Sequence, residues 1–171
     1  ISINVLAACS LNASDTIHTA NITPGQWTGD IGQSNLTAVC NDPGGYAIYA
    51  IGYTNDEYGN TNLINTTDQT KTIATGPNKS GTTSNWSMKL GKGTGESATI
   101  EGEEAGDTED FYTDYHIIPS TYTKVAKKTD ATSSTTSGTS LTTTYGVFTT
   151  TTQIAGTYEG QVKYTLVHPN D

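Results

Sequence analysis

The sequence contains no arginine, and its 171 residues include eight basic side chains, all lysine, against 17 acidic ones. Proteins that bind nucleic acid need clustered positive charge to replace the counterions of the phosphates. The formal net charge of −9 therefore argues against a nucleic-acid partner. No apolar run approaches the ~20 residues that cross a bilayer, so we expect no membrane partner either. The chain opens at Ile1 without a basic leader, and we interpret it as a processed, secreted protein.

Helix signals are equally scarce, because Gly, Thr and Asn interrupt every candidate window. Ten tyrosines and many β-branched residues lie instead in period-two segments between turn-forming residues. This pattern predicts one all-β domain, an antiparallel β-sandwich of immunoglobulin-like or pilin-like type with an extended N-terminal strand. Residues 1–11 form that first strand and residues 12–171 the sandwich. Strands are predicted near 1–11, 16–23, 34–41, 45–54, 84–90, 97–101, 112–118, 140–150 and 157–167.

The two cysteines, Cys9 and Cys40, both fall on the apolar side of an alternating segment. Two thiols on buried strand faces can form a bridge between strands. A disulfide would place the protein in an oxidising compartment, so extracellular localisation is expected. The alternative is a pair of small buried thiols.

No arrangement of residues predicts catalysis. The three histidines lie far apart in the sequence, and hydroxyl side chains are too common for one to stand out as an activated nucleophile. We therefore expect a protein that is not an enzyme and has no cofactor. The one dense polar segment is acidic and offers Glu103, Asp107, Glu109 and Asp110 as weak candidate ligands for Ca²⁺. A solvated acidic loop is the favoured interpretation.

Exposed aromatic rings are the usual sugar platforms of small sandwiches without catalytic groups. Trp27, which follows a Pro-Gly turn, and the neighbouring tyrosines Tyr53 and Tyr58 are the candidate ligand-binding residues, with a host-surface glycan as the candidate partner. Trp86 alternates with Met88 and Leu90, which favours a place in the core.

The first residues alternate strongly, with Ile1, Ile3, Val5 and Ala7 on one side. Such a segment can complete its own sheet, or it can be donated to the open edge of a neighbouring subunit. Head-to-tail donation propagates as an open filament. The residues alone leave an ordinary first strand of a monomeric sandwich as an even alternative.

Three segments carry a resemblance to a protein family: 45–53 (GYAIYAIGY), 83–90 (TSNWSMKL) and 155–169 (AGTYEGQVKYTLVHP). With the two cysteines, they resemble secreted surface proteins of Saccharibacteria-type (candidate-phylum) and Gram-positive bacteria. The resemblance implies a cell-surface or extracellular β-protein and transfers no catalytic residue. The leading hypothesis is thus a pilin-like structural subunit whose partner is another copy of itself. The alternative is a monomeric secreted carbohydrate-binding or adhesin domain, with Ca²⁺ as a candidate ligand.

Overall fold

The structure is a computed structural model that describes residues 6–13, 18–95, 98–132 and 138–168. Within them the chain forms twelve strands: β1 (Cys9–Ala13), β2 (Trp27–Cys40), β3 (Tyr46–Thr54), β4 (Glu57–Tyr58), β5 (Leu63–Asn65), β6 (Thr72–Thr75), β7 (Asn85–Lys92), β8 (Thr99–Ile100), β9 (Thr123–Lys128), β10 (Thr139–Phe148), β11 (Tyr158–Glu159) and β12 (Gln161–Val167). The described residues include no α-helix, and hence no helix long and apolar enough to cross a membrane. The prediction of an all-β protein is confirmed.

The strands form two sheets, as expected for a sandwich. The seven-stranded sheet has the order β1-β2-β10-β7-β6-β5-β11, and the second sheet has the order β12-β3-β9-β8 with β4 paired to β3. Pairing is antiparallel except between β6 and β7, which run parallel. The predicted antiparallel sandwich is thus confirmed, with one parallel pair among the described strands. The β6–β7 pair is confined to two register positions, next to a Gly-Pro segment at 76–77.

The core lies between the sheets and follows the alternation of the sequence. Along β2, Leu36, Ala38 and Cys40 are buried, with intervening residues more exposed. On β3, Tyr46, Ile48 and Ala50 form the inward face. Because β3 lies between β12 and β9, its second apolar face belongs to an interior strand, as its sequence indicated.

The tight turn from β2 to β3 fixes the relation of the two sheets. Asp42 accepts hydrogen bonds from the backbone N–H groups of Gly44 and Gly45, through its side chain and its carbonyl respectively. Gly45 has a φ of 77°, and a Cβ there would collide with the carbonyl of Lys128. A glycine is required at this position because L-residues rarely adopt such a φ.

Several predicted strands are corrected by the structure. Of the predicted strand 16–23, residues 16 and 17 lie outside the described residues, and residues 18–23 form no strand. The predicted strand 112–118 is limited to a single bridge between His116 and Met88. Strand β9 was not predicted because four of its six residues are polar or charged. The buried Val125 and Ala126 are adjacent and flanked by lysines, so the segment shows no apolar alternation. The short strands β4, β5 and β6 were missed as well, since two to four residues carry little periodicity.

Candidate functional site

The chain that leads into β1 leaves the sandwich with its side chains exposed. Leu6 is 75% exposed, and Ala7 and Ala8 are exposed as well. Strand β1 itself pairs with β2 of the same chain, so residues 9–11 of the predicted first strand belong to their own sheet. Of the candidate donor residues, Ala7 lies in this exposed segment; Ile1, Ile3 and Val5 lie outside the described residues.

Asn41 holds the exposed segment at the end of the sandwich. Its side-chain oxygen accepts a hydrogen bond from the Ala8 N–H at 2.6 Å, and its side-chain nitrogen donates to the Leu6 carbonyl at 3.2 Å. The Asn41 N–H donates to the Ala8 carbonyl at 3.2 Å. The asparagine thus binds the backbone as a further residue of β2 would, and it continues the β1–β2 ladder past Cys40.

A disulfide joins Cys9 to Cys40 immediately beside this contact. The two residues are directly opposed in the β1–β2 register, and Cys40 is fully buried. The predicted pairing is confirmed. The covalent link fixes the first residue of β1 to the last residue of β2.

An open groove of about 550 Å³ runs between β1 and β12, the end strands of the two sheets. Its walls come from the two edges and from the exposed segment: Ala7, Ala8, Cys9, Ser10, Leu11, Ala13, Tyr164, Thr165, Leu166 and His168. The wall residues include no Asp, Glu or Lys. For a chain with a net charge of −9, this is a markedly uncharged surface.

The interior of the groove reaches the hydrophobic core. Cys9 and Leu11 of β1 and Tyr164 and Leu166 of β12 pack against the core while staying only partly buried. The Tyr164 hydroxyl lies 3.2 Å from that of Tyr145 on β10. Burial raises the pKa of Tyr164 well above its usual value, and the neighbouring Tyr145 hydroxyl adds to the effect. Both phenols therefore stay neutral and anchor β12 to the opposite sheet.

The candidate Ca²⁺ ligands are each occupied by contacts within the protein. Glu103 pairs with Lys92 and accepts from the Ile100 N–H. Asp107 accepts from the Gly102 and Glu104 N–H groups, at 2.9 and 3.1 Å.

The other two candidates are also engaged. Glu109 lies 2.9 Å from the Nε2 of His116, and Asp110 accepts from the N–H groups of Tyr112 and Thr113. Among the described residues no group of three or more His, Cys, Asp or Glu side chains is placed to hold a metal ion. The four acidic residues thus serve the conformation of their loop.

Two of the three predicted aromatic residues lie together. Asn55 and Asp56 have φ values of 51° and 58°, and they form the two-residue turn that places Tyr58 opposite Tyr53. The two rings are 4.9 Å apart. Tyr122, which no sequence pattern marks, lies 6.3 Å from Tyr58, and the Lys163 ammonium lies 3.4 Å from the centre of the Tyr53 ring.

Trp27 belongs to a different cluster. Its ring meets Tyr115 edge-on at 5.1 Å, and the Lys79 ammonium lies 5.8 Å from its centre. A Cβ at Gly146 would collide with the indole, so the ring lies flat on the β10 backbone and is half-buried. Trp86, at 4% exposure, is in the core as its alternation indicated.

Comparison with known protein families and with curated proteins gave no match. The inferences that follow therefore depend on the geometry of the chain itself.

Proposed function

We propose that this protein is a structural subunit of an extracellular fibre, and that it polymerises by donating residues 1–8 to a neighbouring subunit. The observation that carries the proposal is the exposed segment Leu6–Ala8, which follows the alternating residues 1–5 and lies beside a groove between two free sheet edges. The Cys9–Cys40 disulfide supports an oxidising, extracellular setting. It would also transmit tension between subunits.

Donation of a strand would bury the apolar side of the segment, which consists of Ile1, Ile3, Val5 and Ala7. Covering these side chains in a neighbouring subunit would gain the free energy of apolar burial. In a fibre, main-chain hydrogen bonds would supply affinity, and pockets for alternate side chains would fix the register.

A pair of full-length variants tests the proposal. Ile3→Asp places a carboxylate on the apolar side of the segment, whereas Asn4→Asp places the same charge on the polar side. We expect wild type and Asn4→Asp to form filaments in electron micrographs. Ile3→Asp should lower the sedimentable fraction by about tenfold or more, because burial of an unpaired carboxylate is costly. Equal assembly of the two variants would contradict strand donation, as would wild-type protein that stays monomeric at high concentration.

A second candidate function rests on the tyrosine cluster. Tyr58 and Tyr122 are 56% and 53% exposed, and Tyr53 and Lys163 lie beside them with Asp56 accepting from the Tyr53 hydroxyl at 3.0 Å. Flat rings with hydrogen-bonding groups around them are the chemistry that binds a sugar ring. We propose this cluster, in place of Trp27, as the surface for a glycan ligand.

A glycan array separates this candidate from the first. Tyr58→Ala should remove the signal from bound glycans, whereas Trp27→Ala, which alters an aromatic ring elsewhere, should leave it unchanged. Retention of the signal in Tyr58→Ala would exclude the tyrosine cluster as the binding surface.

A further inference from the structure

We propose that the groove between β1 and β12 is the acceptor site for residues 1–7 of a second copy of this chain, and that the donated strand pairs with the free edge of β12. The inference rests on the proposed strand donation and specifies the surface that receives the strand. It is carried by three properties of the groove: its edges, its interior and its position relative to residues 6–8.

Both walls of the groove are strand edges without a neighbour among the described residues. β1 ends the seven-stranded sheet and β12 ends the other. A free edge presents N–H and C=O groups that favour pairing with a further strand. β12 has seven residues and β1 has five. β12 therefore offers the longer free edge to an added strand.

The interior of the groove matches the apolar side of that segment. A strand added to β12 would direct alternate side chains into the seam between the sheets. Ile1, Ile3 and Val5 would then cover the partly buried Leu11 and Leu166. Neither the segment nor the groove carries Asp, Glu or Lys, so no charge would be buried unpaired.

The position of residues 6–8 favours a second copy over insertion into the same molecule. Asn41 and the disulfide hold this segment at the end of the sandwich, where β1 runs out past β2. To reach its own groove, the chain would have to reverse direction just before Leu6. The groove of a second copy can receive the segment without such a turn.

The same geometry allows two kinds of assembly. Ala7, Ala8 and His168 lie along the groove, so the segment leaves the molecule beside the site that receives it. Donation in one direction propagates as a fibre, whereas reciprocal donation closes a two-fold dimer. Both assemblies would fill the groove. The acceptor-site hypothesis can therefore be correct even if the protein forms no fibre.

Photo-crosslinking between isotopically distinct full-length chains tests the acceptor site. The photoreactive residue p-benzoylphenylalanine replaces Ile3, or Val5 in a second preparation, in chains labelled with ¹⁵N, which are mixed with unlabelled chains. Mass spectrometry then maps the residue that each probe reaches. We expect crosslinks between labelled and unlabelled chains at residues 9–13 and 162–168. A free peptide of residues 1–8 should reduce their yield, and the same peptide with Ile3→Asp should not.

The outcomes distinguish the two hypotheses. Groove crosslinks in filaments support both, and groove crosslinks in closed dimers alone support the acceptor site and overturn the fibre. Filaments with crosslinks elsewhere, or with none, overturn the acceptor site and leave the fibre standing. Crosslinks confined to a single chain overturn donation to a second copy. Monomers without crosslinks overturn both.

Discussion

The two lateral sides of the sandwich differ in how the gap between the two sheets is covered. On the β8 side, the segment that contains Phe111 closes the gap between the sheets. The Phe111 carbonyl accepts from the Leu90 N–H on β7, at 2.7 Å, and its N–H donates to the Glu101 carbonyl at the end of β8, at 2.9 Å. Its ring is fully buried. On the β1–β12 side, no described segment covers the equivalent seam, and the groove remains.

Charge separates the two sides as well. The closed side carries three Lys–Glu ion pairs: Lys92–Glu103, Lys124–Glu101 and Lys127–Glu104. On the open side, the residues that line the groove include no Asp, Glu or Lys, and the His168 ring at its end lies 3.4 Å from Asp42. On the closed side, the chain covers its own edge with a loop that ion pairs and one buried aromatic ring hold in place. An uncharged, partly apolar edge is the kind of surface with which a further strand would pair.

The largest expected effect on the free energy of unfolding is at Phe111, the buried ring of the closed side. Phe111→Ala removes a fully buried ring and should cost about 3–5 kcal/mol in the free energy of unfolding. The matched change on the open side, Leu11→Ala, should cost roughly half of that or less, because Leu11 is only partly buried in the monomer. Urea unfolding of both variants measures the difference. An equal loss in monomeric protein would show that the open side is as well packed as the closed one.

The disulfide is expected to rank next. Cys9 and Cys40 are 31 positions apart, and replacing both by Ser should lower the free energy of unfolding by about 3–4 kcal/mol on the chain-entropy model. Because the bridge joins β1 to β2 at the open side, hydrogen exchange should rise most in β1. Uniform loosening of both sides would contradict a local role for the bridge.

A smaller effect is expected at Asn41. Asn41→Ala removes two side-chain hydrogen bonds to Leu6 and Ala8, both exposed, and should cost about 1 kcal/mol. Residues 6–8 should become sensitive to limited proteolysis, with the rest of the sandwich unchanged. Asn35→Ala is the control, since Asn35 is an exposed asparagine of β2, the strand that Asn41 follows. Protease resistance of residues 6–8 in Asn41→Ala would show that other contacts hold the segment.

The smallest loss of stability per residue is expected from lowering the pH. This loss should come from the carboxylates of the closed side. The hydrogen bond from Lys92 holds the pKa of Glu103 below its usual range, and the bond from the Glu104 N–H does the same for Asp107. A lowered folded-state pKa stabilises the protein above the unfolded-state value, and that stabilisation is lost as the pH falls through the folded-state pKa.

Thermal unfolding between about pH 6 and pH 2 measures this loss, since carboxylates titrate near pH 4. Hydrogen exchange should increase first around residues 101–114. The groove contains no carboxylate, so β1 and β12 should keep their protection until global unfolding. If β12 lost its protection from hydrogen exchange before residues 101–114, the open side would be the more acid-sensitive one, contrary to the prediction.

Sequence patterns predicted the parts of the fold in which one strand carries its own signal. Leu36, Ala38 and Cys40, and Tyr46, Ile48 and Ala50, alternate clearly, and each set is buried as expected. The segment 112–118 shows the limit of this reasoning. It alternates like a strand, yet its tie to β7 is a single bridge at His116, because Asp110 and Asp114 accept bonds from nearby backbone N–H groups and shape a loop.

The candidate site was predicted in part. The pairing of Cys9 with Cys40 and the nearness of Tyr53 to Tyr58 follow from local patterns, the second through an Asn-Asp turn. Asn41 and Tyr122 gave no such signal. An isolated asparagine after a strand, or one tyrosine near a turn, is ordinary in a chain with this composition. Their roles arise from the segments that the fold brings beside them.

The order of residues thus determined that the chain forms strands and which faces of them are apolar, because these properties depend on neighbours two residues apart. It also allowed only one disulfide within the chain, since there are two cysteines. Only the tertiary structure decided that β1 and β12, about 150 residues apart in the chain, end their sheets side by side. The position of an edge depends on the order of all strands in a sheet, and no local pattern encodes that order.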